Sequence, residues 1–184
     1  MEINPWIING EKNVYENPWI SVTEYDVLNP AGNKGIYGKI HFKNTAVGIM
    51  VLDEEMNTWL VGQYRFPLNS YSWEIPEGGS PVTDDPLTGA KRELLEETGL
   101  VAAHWQPLLR IHLSNSVSDE LAIVYLATDL TQLEPEPEET EQLIVKKIPF
   151  YEAYGMVEEG LITDSMSVAA IIKIKLLFAE GKLK

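Results

Sequence analysis

Glu93 and Glu97 stand four residues apart in the stretch Arg92-Glu93-Leu94-Leu95-Glu96-Glu97-Thr98-Gly99-Leu100. On a helix that spacing puts both carboxylates on one face, where like charges disfavour the helix by about 0.2–0.5 kcal/mol. A hard divalent cation such as Mg²⁺ turns the repulsion into attraction, because it takes carboxylate oxygens as ligands. Arg92 and Glu96 share the same spacing and can pair, leaving Glu93 and Glu97 available to a cation. Taken alone, the stretch reads better as a solvated helix face carrying a surface ion pair.

The residues before it change that balance. Gly78 lies six residues before Asp84, and Asp84 lies eight before Arg92. With Gly99 and Leu100 at the end, the arrangement resembles the Nudix signature: Gly, five residues, Glu, seven residues, Arg-Glu-apolar-x-Glu-Glu-x-Gly-apolar. The chain is identified as a member of that family on this match. Asp84 departs from it, standing where the family usually has Glu, at a position that mostly supports the metal site from outside. The resemblance implies that Glu93 and Glu97 ligate Mg²⁺, with Mn²⁺ as the alternative ion. It also implies a ligand from the carbonyl oxygen of Glu77, and a role for Glu96 as a further ligand or as the partner that orients Arg92. Such ions neutralise diphosphate oxygens, acidify water and stabilise charge on a leaving phosphate. Glycine at 78 and 79 lets the backbone approach the phosphates closely.

Similarity beyond this box points to one branch. Gln63-Tyr64-Arg65, followed by Trp73-Glu74-Ile75-Pro76-Glu77-Gly78-Gly79, is similar to the ADP-ribose and nucleoside-diphosphate-sugar pyrophosphatases. The matching arginine there contacts substrate phosphates, which makes Arg65 and Gly78 candidate substrate-binding residues. The plainer reading of Arg65 is a surface arginine paired with Glu74. Glu74 would hold Arg65 or bind metal. The stretch Leu133-Glu-Pro-Glu-Pro-Glu-Glu-Thr-Glu141 is by composition a Pro-interrupted, solvated acidic loop. In the branch, a mobile loop at this place carries glutamates into the site. That match makes Glu139 the candidate general base and Glu141 a third metal ligand, with Glu138 as the base after a small register shift. A carboxylate suits this work once a metal has acidified the water.

The substrate is less sharply marked. ADP-ribose enzymes commonly carry a proline about sixteen residues beyond the box; Ser116 stands there, in His112-Leu-Ser-Asn-Ser-Val-Ser-Asp-Glu120. ADP-ribose remains the expected substrate, with GDP-mannose or another nucleotide sugar as the alternative. The diadenosine-polyphosphate mark, a tyrosine, is missing near Ser118. Trp19 or Tyr37 could stack on a nucleobase by their ring faces, although ordinary packing is the slightly better reading of each. Intact Glu93, Glu96 and Glu97 argue against a Nudix-like binding module without catalysis.

These side chains need a frame. Residues 1–44 read as strands with polar turns, notably Trp19 to Val27 and Ile36 to Phe42 around the turn residues 29–35. Ala46–Leu52 reads as a buried strand and Trp59–Tyr64 as the next. Asp85 and Pro86 form a helix start, an N-cap carboxylate with proline at the first helical position. The helix is expected to run to Thr98, to end at Gly99, and to bury Leu87, Ala90, Leu94 and Leu95. Strands are expected near 106–113, 121–127 and 143–148, then a helix from Pro149 to about Glu159. A last helix from Asp164 or Ser165 packs Met166, Ala169, Ile172 and Leu176. The expected class is α+β: an α/β/α Nudix fold over 45–184, with a mixed sheet between helices. An antiparallel β extension over 1–44 precedes it. In relatives that extension is exchanged in a two-fold dimer, so a homodimer is expected.

Composition sets outer limits. The 184 residues suffice for one domain, or a small one with an appendage. The formal net charge of −14 makes nucleic acid an unsuitable partner, because phosphate contacts need a basic surface. No apolar run approaches the ~20 residues that span a bilayer, and the N-terminal residues lack the pattern of a signal peptide. Cysteine is absent, so thiol chemistry is excluded and a cytoplasmic location is the default. His41, His104 and His112 have no ligand spacing, and the serines at 114, 116 and 118 lack a nucleophile-elbow context.

Overall fold

The computed structural model describes residues 3–133 and 143–183. Three strands come first: β1 (Ile7–Glu16), β2 (Ile20–Leu28) and β3 (Lys34–Phe42), an antiparallel sheet in the order β1-β2-β3. Next come β4 (Asn44–Val51), β5 (Asn57–Arg65), β6 (Ser70–Glu74), β7 (Glu77–Pro81) and helix α1 (Pro86–Thr98). The chain continues with β8 (Leu100–His112), β9 (Leu121–Gln132), β10 (Ile144–Pro149), α2 (Phe150–Glu158) and α3 (Ser165–Ala179). A mixed sheet in the order β7-β4-β9-β8 lies at the centre, with β4 and β9 parallel and the other pairs antiparallel. A third sheet runs β10-β5-β6.

Side chains alternate across a strand, and β4 uses both faces. Val47, Ile49 and Val51 pack with Ala90 and Leu94 of α1, together with Tyr125 and Ala127 of β9. Met50 and the following Leu52 pack the other way with Val124, Leu126, Phe150, Ile171 and Ile174, hence against α2 and α3. Burial on both faces explains why β4 reads as an unbroken apolar run. The result is the expected α/β/α layering, with the antiparallel β1–β3 sheet ahead of it. No helix among the described residues is long and apolar enough to cross a membrane.

Helix α1 begins and ends as its local sequence dictates. Asp85 accepts the Leu87 N–H at 3.1 Å, and Pro86 sits in the first turn. Gly99 closes the helix at φ 71° and donates its N–H to Leu95 O at 2.8 Å, a left-handed step that suits glycine. The inner face differs from the expectation. Ala90 and Leu94 are buried and Leu87 packs beside them, but Leu95 is only half-buried; Glu93 and Glu97 take buried places instead.

In α3 the expected stripe is rotated. Met166 is buried, but it is joined by Ser167, Ala170, Ile171 and Ile174, whereas Ile172 and Leu176 are each 48% exposed. The helix is apolar nearly all round, so its period alone does not select a face. Strand β8 begins directly after Gly99 rather than near 106, because it pairs with β9 along its length, from Leu100↔Gln132 to His112↔Leu121. Strand β7, with the residues Glu-Gly-Gly-Ser-Pro, carries little intrinsic strand signal; it forms because β4 supplies its ladder.

Candidate active site

The turn from Glu74 to Gly79 is pinned from two sides. The Ile75 N–H donates to Ser167 Oγ of α3 at 2.9 Å, and Pro76 O accepts the Ile49 N–H at 2.8 Å. Helix α1 lies across β7, and its acids bind that strand's backbone. Glu93 Oε1 accepts the Gly79 N–H at 3.2 Å, and Glu97 Oε2 accepts the Glu77 N–H at 3.1 Å. Both acids are nearly buried, Glu93 at 9% exposure and Glu97 at 4%. Burying carboxylates is costly unless charge and hydrogen bonds compensate. Gly78 passes directly over the Glu93 carboxyl group, with no room there for a β-carbon.

Arg92 does more than pair with Glu96. Its Nη1 reaches Glu96 at 2.5 Å, while its Nη2 reaches Glu93 Oε1 at 2.6 Å and the Gly79 carbonyl at 2.9 Å. The expectation that Arg92 would leave Glu93 aside is thus corrected: the guanidinium ties Glu93, Glu96 and β7 together. This works because a planar guanidinium offers several donors in fixed directions. Asp84, the departing position, is exposed and is bonded by Thr83 Oγ1 at 3.0 Å.

Arg65, at the end of β5, is held by buried acids. Its Nε reaches Glu74 Oε1 at 3.0 Å, and its Nη2 reaches Glu74 Oε2 at 2.5 Å and Glu77 Oε1 at 2.7 Å. The Glu74 side chain is 3% exposed and that of Arg65 35%. Burial opposes the charge on Arg65, but the bonds and charges of Glu74 and Glu77 outweigh it and raise its pKa. Glu77 is pushed well above the usual carboxylate range by burial first, then by the nearby charges of Asp164 and Glu74.

These groups line one cleft of about 970 Å³. Arg65, Glu74, Glu77, Gly78, Arg92, Glu93 and Glu97 stand on its walls, and Trp19, Phe42, Leu68 and Leu113 add apolar surface. Trp19, a candidate from its chemistry, therefore does reach the cleft and is 66% exposed. Tyr37 does not line it. It borders a separate pocket of about 460 Å³ beside Trp6 and Tyr25, packs edge-to-face on Trp6 at 5.3 Å, and donates its hydroxyl to Ser116 O at 2.5 Å. Glu138, Glu139 and Glu141 lie outside the described residues.

Two cleft acids carried no assigned role in the sequence reading. Asp164 caps α3, accepting the Ser167 N–H at 2.7 Å, and also faces the cleft. Its capping role accounted for it locally, and no spacing connects it to Glu77. Glu120 also lines the cleft, its pKa raised by burial and by Asp164. The loop before it is fastened to β3: Ile40 N–H bonds Val117 O at 2.8 Å, and Asp119 takes Lys39 Nζ at 2.7 Å and His41 Nδ1 at 2.8 Å.

Oxygen ligands alone, buried beside backbone and mostly carboxylate, suit a hard divalent cation. Glu93 and Glu97 on α1, with the bare backbone at Gly78, fit such an ion.

The NUDIX domain profile matches residues 42–160. An ADP-ribose pyrophosphatase of Mycobacterium tuberculosis is 37% identical over 133 residues, covering 70% of this chain and 64% of that protein. The chain thus spans less than two thirds of that relative's length. An ADP-ribose pyrophosphatase of Bacillus subtilis is 32% identical over 133 residues, covering 71% of this chain and 72% of that one. The solved structure of an ADP compounds hydrolase superposes with a TM-score of 0.86 over the whole of both chains at 20% identity, a likeness of fold.

Proposed function

Because the chain belongs to the NUDIX domain family, we propose that it hydrolyses the diphosphate bond of a nucleoside diphosphate sugar, foremost ADP-ribose to AMP and ribose 5-phosphate. One observation carries the reading: Glu93 and Glu97 are buried side by side against the backbone of β7 in the same cleft that receives Arg65. The names of the mycobacterial and Bacillus relatives support ADP-ribose. Serine at 116 keeps GDP-mannose or another nucleotide sugar as the second reading.

Glu93 and Glu97, with Glu96 and the Glu77 carbonyl oxygen, would hold Mg²⁺ or Mn²⁺. When bound, the ion supplies charge neutralisation for the diphosphate and acidity for water. Arg92 fixes Glu93 and Glu96 in place and ties both to Gly79. Arg65 is aimed by its buried acids and offers its exposed part to phosphate oxygens, where a guanidinium fork is well suited. Gly78 lets the phosphates come close to backbone. Trp19 offers a ring face to a base or ribose. Glu139 is our candidate base, Glu138 its alternative, and Glu141 a further ligand.

We further propose a cytoplasmic homodimer. Ile7, Ile8 and Ile36 of the first sheet are each more than half exposed, and covering such apolar surface favours association. Residues 1–44 would then be the exchanged extension and 45–184 the catalytic domain.

A phosphate-release screen with added phosphatase tests the reaction, across ADP-ribose, GDP-mannose, NADH, diadenosine polyphosphates and nucleoside triphosphates. Release from ADP-ribose above all others is expected. Preference for a triphosphate would overturn the substrate class. Light scattering on a gel-filtered sample tests the dimer; a monomer at micromolar concentration would remove it.

A further inference from the structure

Glu74, Glu77 and Asp164 come from three separate elements, the end of β6, the start of β7 and the cap of α3. One carboxylate oxygen from each lies within 4.8 Å of the others. Arg65 satisfies Glu74 and the Oε1 of Glu77. Glu77 Oε2 is different: it is buried and accepts no hydrogen bond from any described residue, in a side chain only 9% exposed. Asp164 uses Oδ2 on the Ser167 N–H. Ionised carboxylates only accept, so Glu77 and Asp164 cannot satisfy each other. Three acids against one guanidinium leave two negative charges, the charge that a divalent cation cancels.

We propose that Glu77 and Asp164, with Glu74 behind them, form a second divalent-cation site, separate from the Glu93 and Glu97 pair on α1. Its ligands are oxygens, as Mg²⁺ and Mn²⁺ require, and the cleft admits the waters that such ions retain. Arg65 occupies Glu77 Oε1. The inference stands on these side-chain oxygens; it shares the cleft, Arg65 and the backbone of Glu77 with the function proposed above. The competing account is a single proton shared between Glu77 and Asp164, with no ion.

Titration of the full chain with MnCl₂, with free Mn²⁺ followed by electron paramagnetic resonance, separates the two. Asp164→Asn keeps a good helix cap, and Asp164→Ser is a second capping variant; circular dichroism checks that both fold. We expect each to weaken one bound ion by roughly tenfold or more. The double variant Glu93→Gln/Glu97→Gln keeps that ion and loses another. Unchanged ion number and affinity in both Asp164 variants would overturn the second site in favour of the shared proton. Loss of the same ion in the Asp164 variants and the helix double variant would overturn it too. A helix double variant that binds as many ions as the wild type would instead sink the α1 assignment and leave the second site standing.

Discussion

A methyl group on Gly78 would fall on the carboxyl group of Glu93. The carboxyl group cannot swing away cheaply, because Arg92 and the Gly79 N–H hold it. Gly78→Ala should therefore displace Glu93 while leaving the core intact. We expect turnover to fall by roughly 100-fold, the scale on which a misplacement of about 1 Å acts. Stability should fall as well, by roughly 1–3 kcal/mol, the usual cost of overpacking a filled site. Steady-state kinetics on ADP-ribose at saturating Mg²⁺ checks this; wild-type turnover would show that Glu93 has no fixed role.

Glu97→Gln separates charge from shape. Glutamine keeps an oxygen that can accept the Glu77 N–H, now 3.1 Å from Glu97, but it lacks the charge to hold a hard cation. Turnover should fall by roughly 100-fold or more, since a bound ion contributes several kcal/mol to the transition state. Thermal stability should stay near the wild-type value, because glutamine keeps the volume and the acceptor of the Glu77 N–H. Retained turnover would end the metal assignment.

Arg65→Ala leaves Glu74 buried at 3% side-chain exposure without its guanidinium partner. Breaking a buried pair costs about 3–5 kcal/mol. The lower end is expected here, because Arg65 is itself about a third exposed and partly screened. Urea denaturation should show this loss, and Arg65→Ala/Glu74→Gln should recover part of it. KM should rise in both. An unchanged midpoint in Arg65→Ala would mean that water replaces the guanidinium at little cost.

What local chemistry decides was legible in the sequence, and what distance decides was not. Asp85, Pro86 and Gly99 set the ends of α1 through their own backbone preferences, so the helix was placed to the residue, and with it the shared face of Glu93 and Glu97. The apolar run of β4 marked a buried strand. By contrast, β7 exists because β4 offers it a ladder, which no propensity reports. The inner face of α3 is chosen by the sheet beneath it, not by a sequence apolar on every side. Asp164 reaches Glu77 across 87 positions of chain, and its cap signal concealed its place in the cleft. Tyr37, read first as ordinary packing and second as a stacking residue, packs on Trp6 and gives its hydroxyl to Ser116 O in a different pocket. The acids at 138, 139 and 141 lie outside the described residues.

Asp119 gives the fold an acid dependence that can be measured. Burial pushes its carboxyl up, but bonds from Lys39, His41 and the Phe42 N–H overcome this and hold it at about 2, against an ordinary 3.8. A folded value below the unfolded one means that the stabilisation is fully present above about pH 4. It is lost as pH falls through that window towards 2. The side chain is 32% exposed, so solvent screening reduces the effect to roughly 1–2 kcal/mol. Asp53, also held at about 2, by Lys147 and Asn57 against burial, contributes in the same window. Asp119→Asn should therefore flatten the fall in stability between pH 4 and pH 2, measured by urea denaturation at successive pH values. It should also speed amide exchange at Ile40 and Phe42, whose N–H groups bond the Val117 carbonyl and Asp119. An identical pH slope in Asp119→Asn would place the acid sensitivity on other carboxylates, Asp53 among them, and leave the attachment of the 113–120 loop to its backbone bonds.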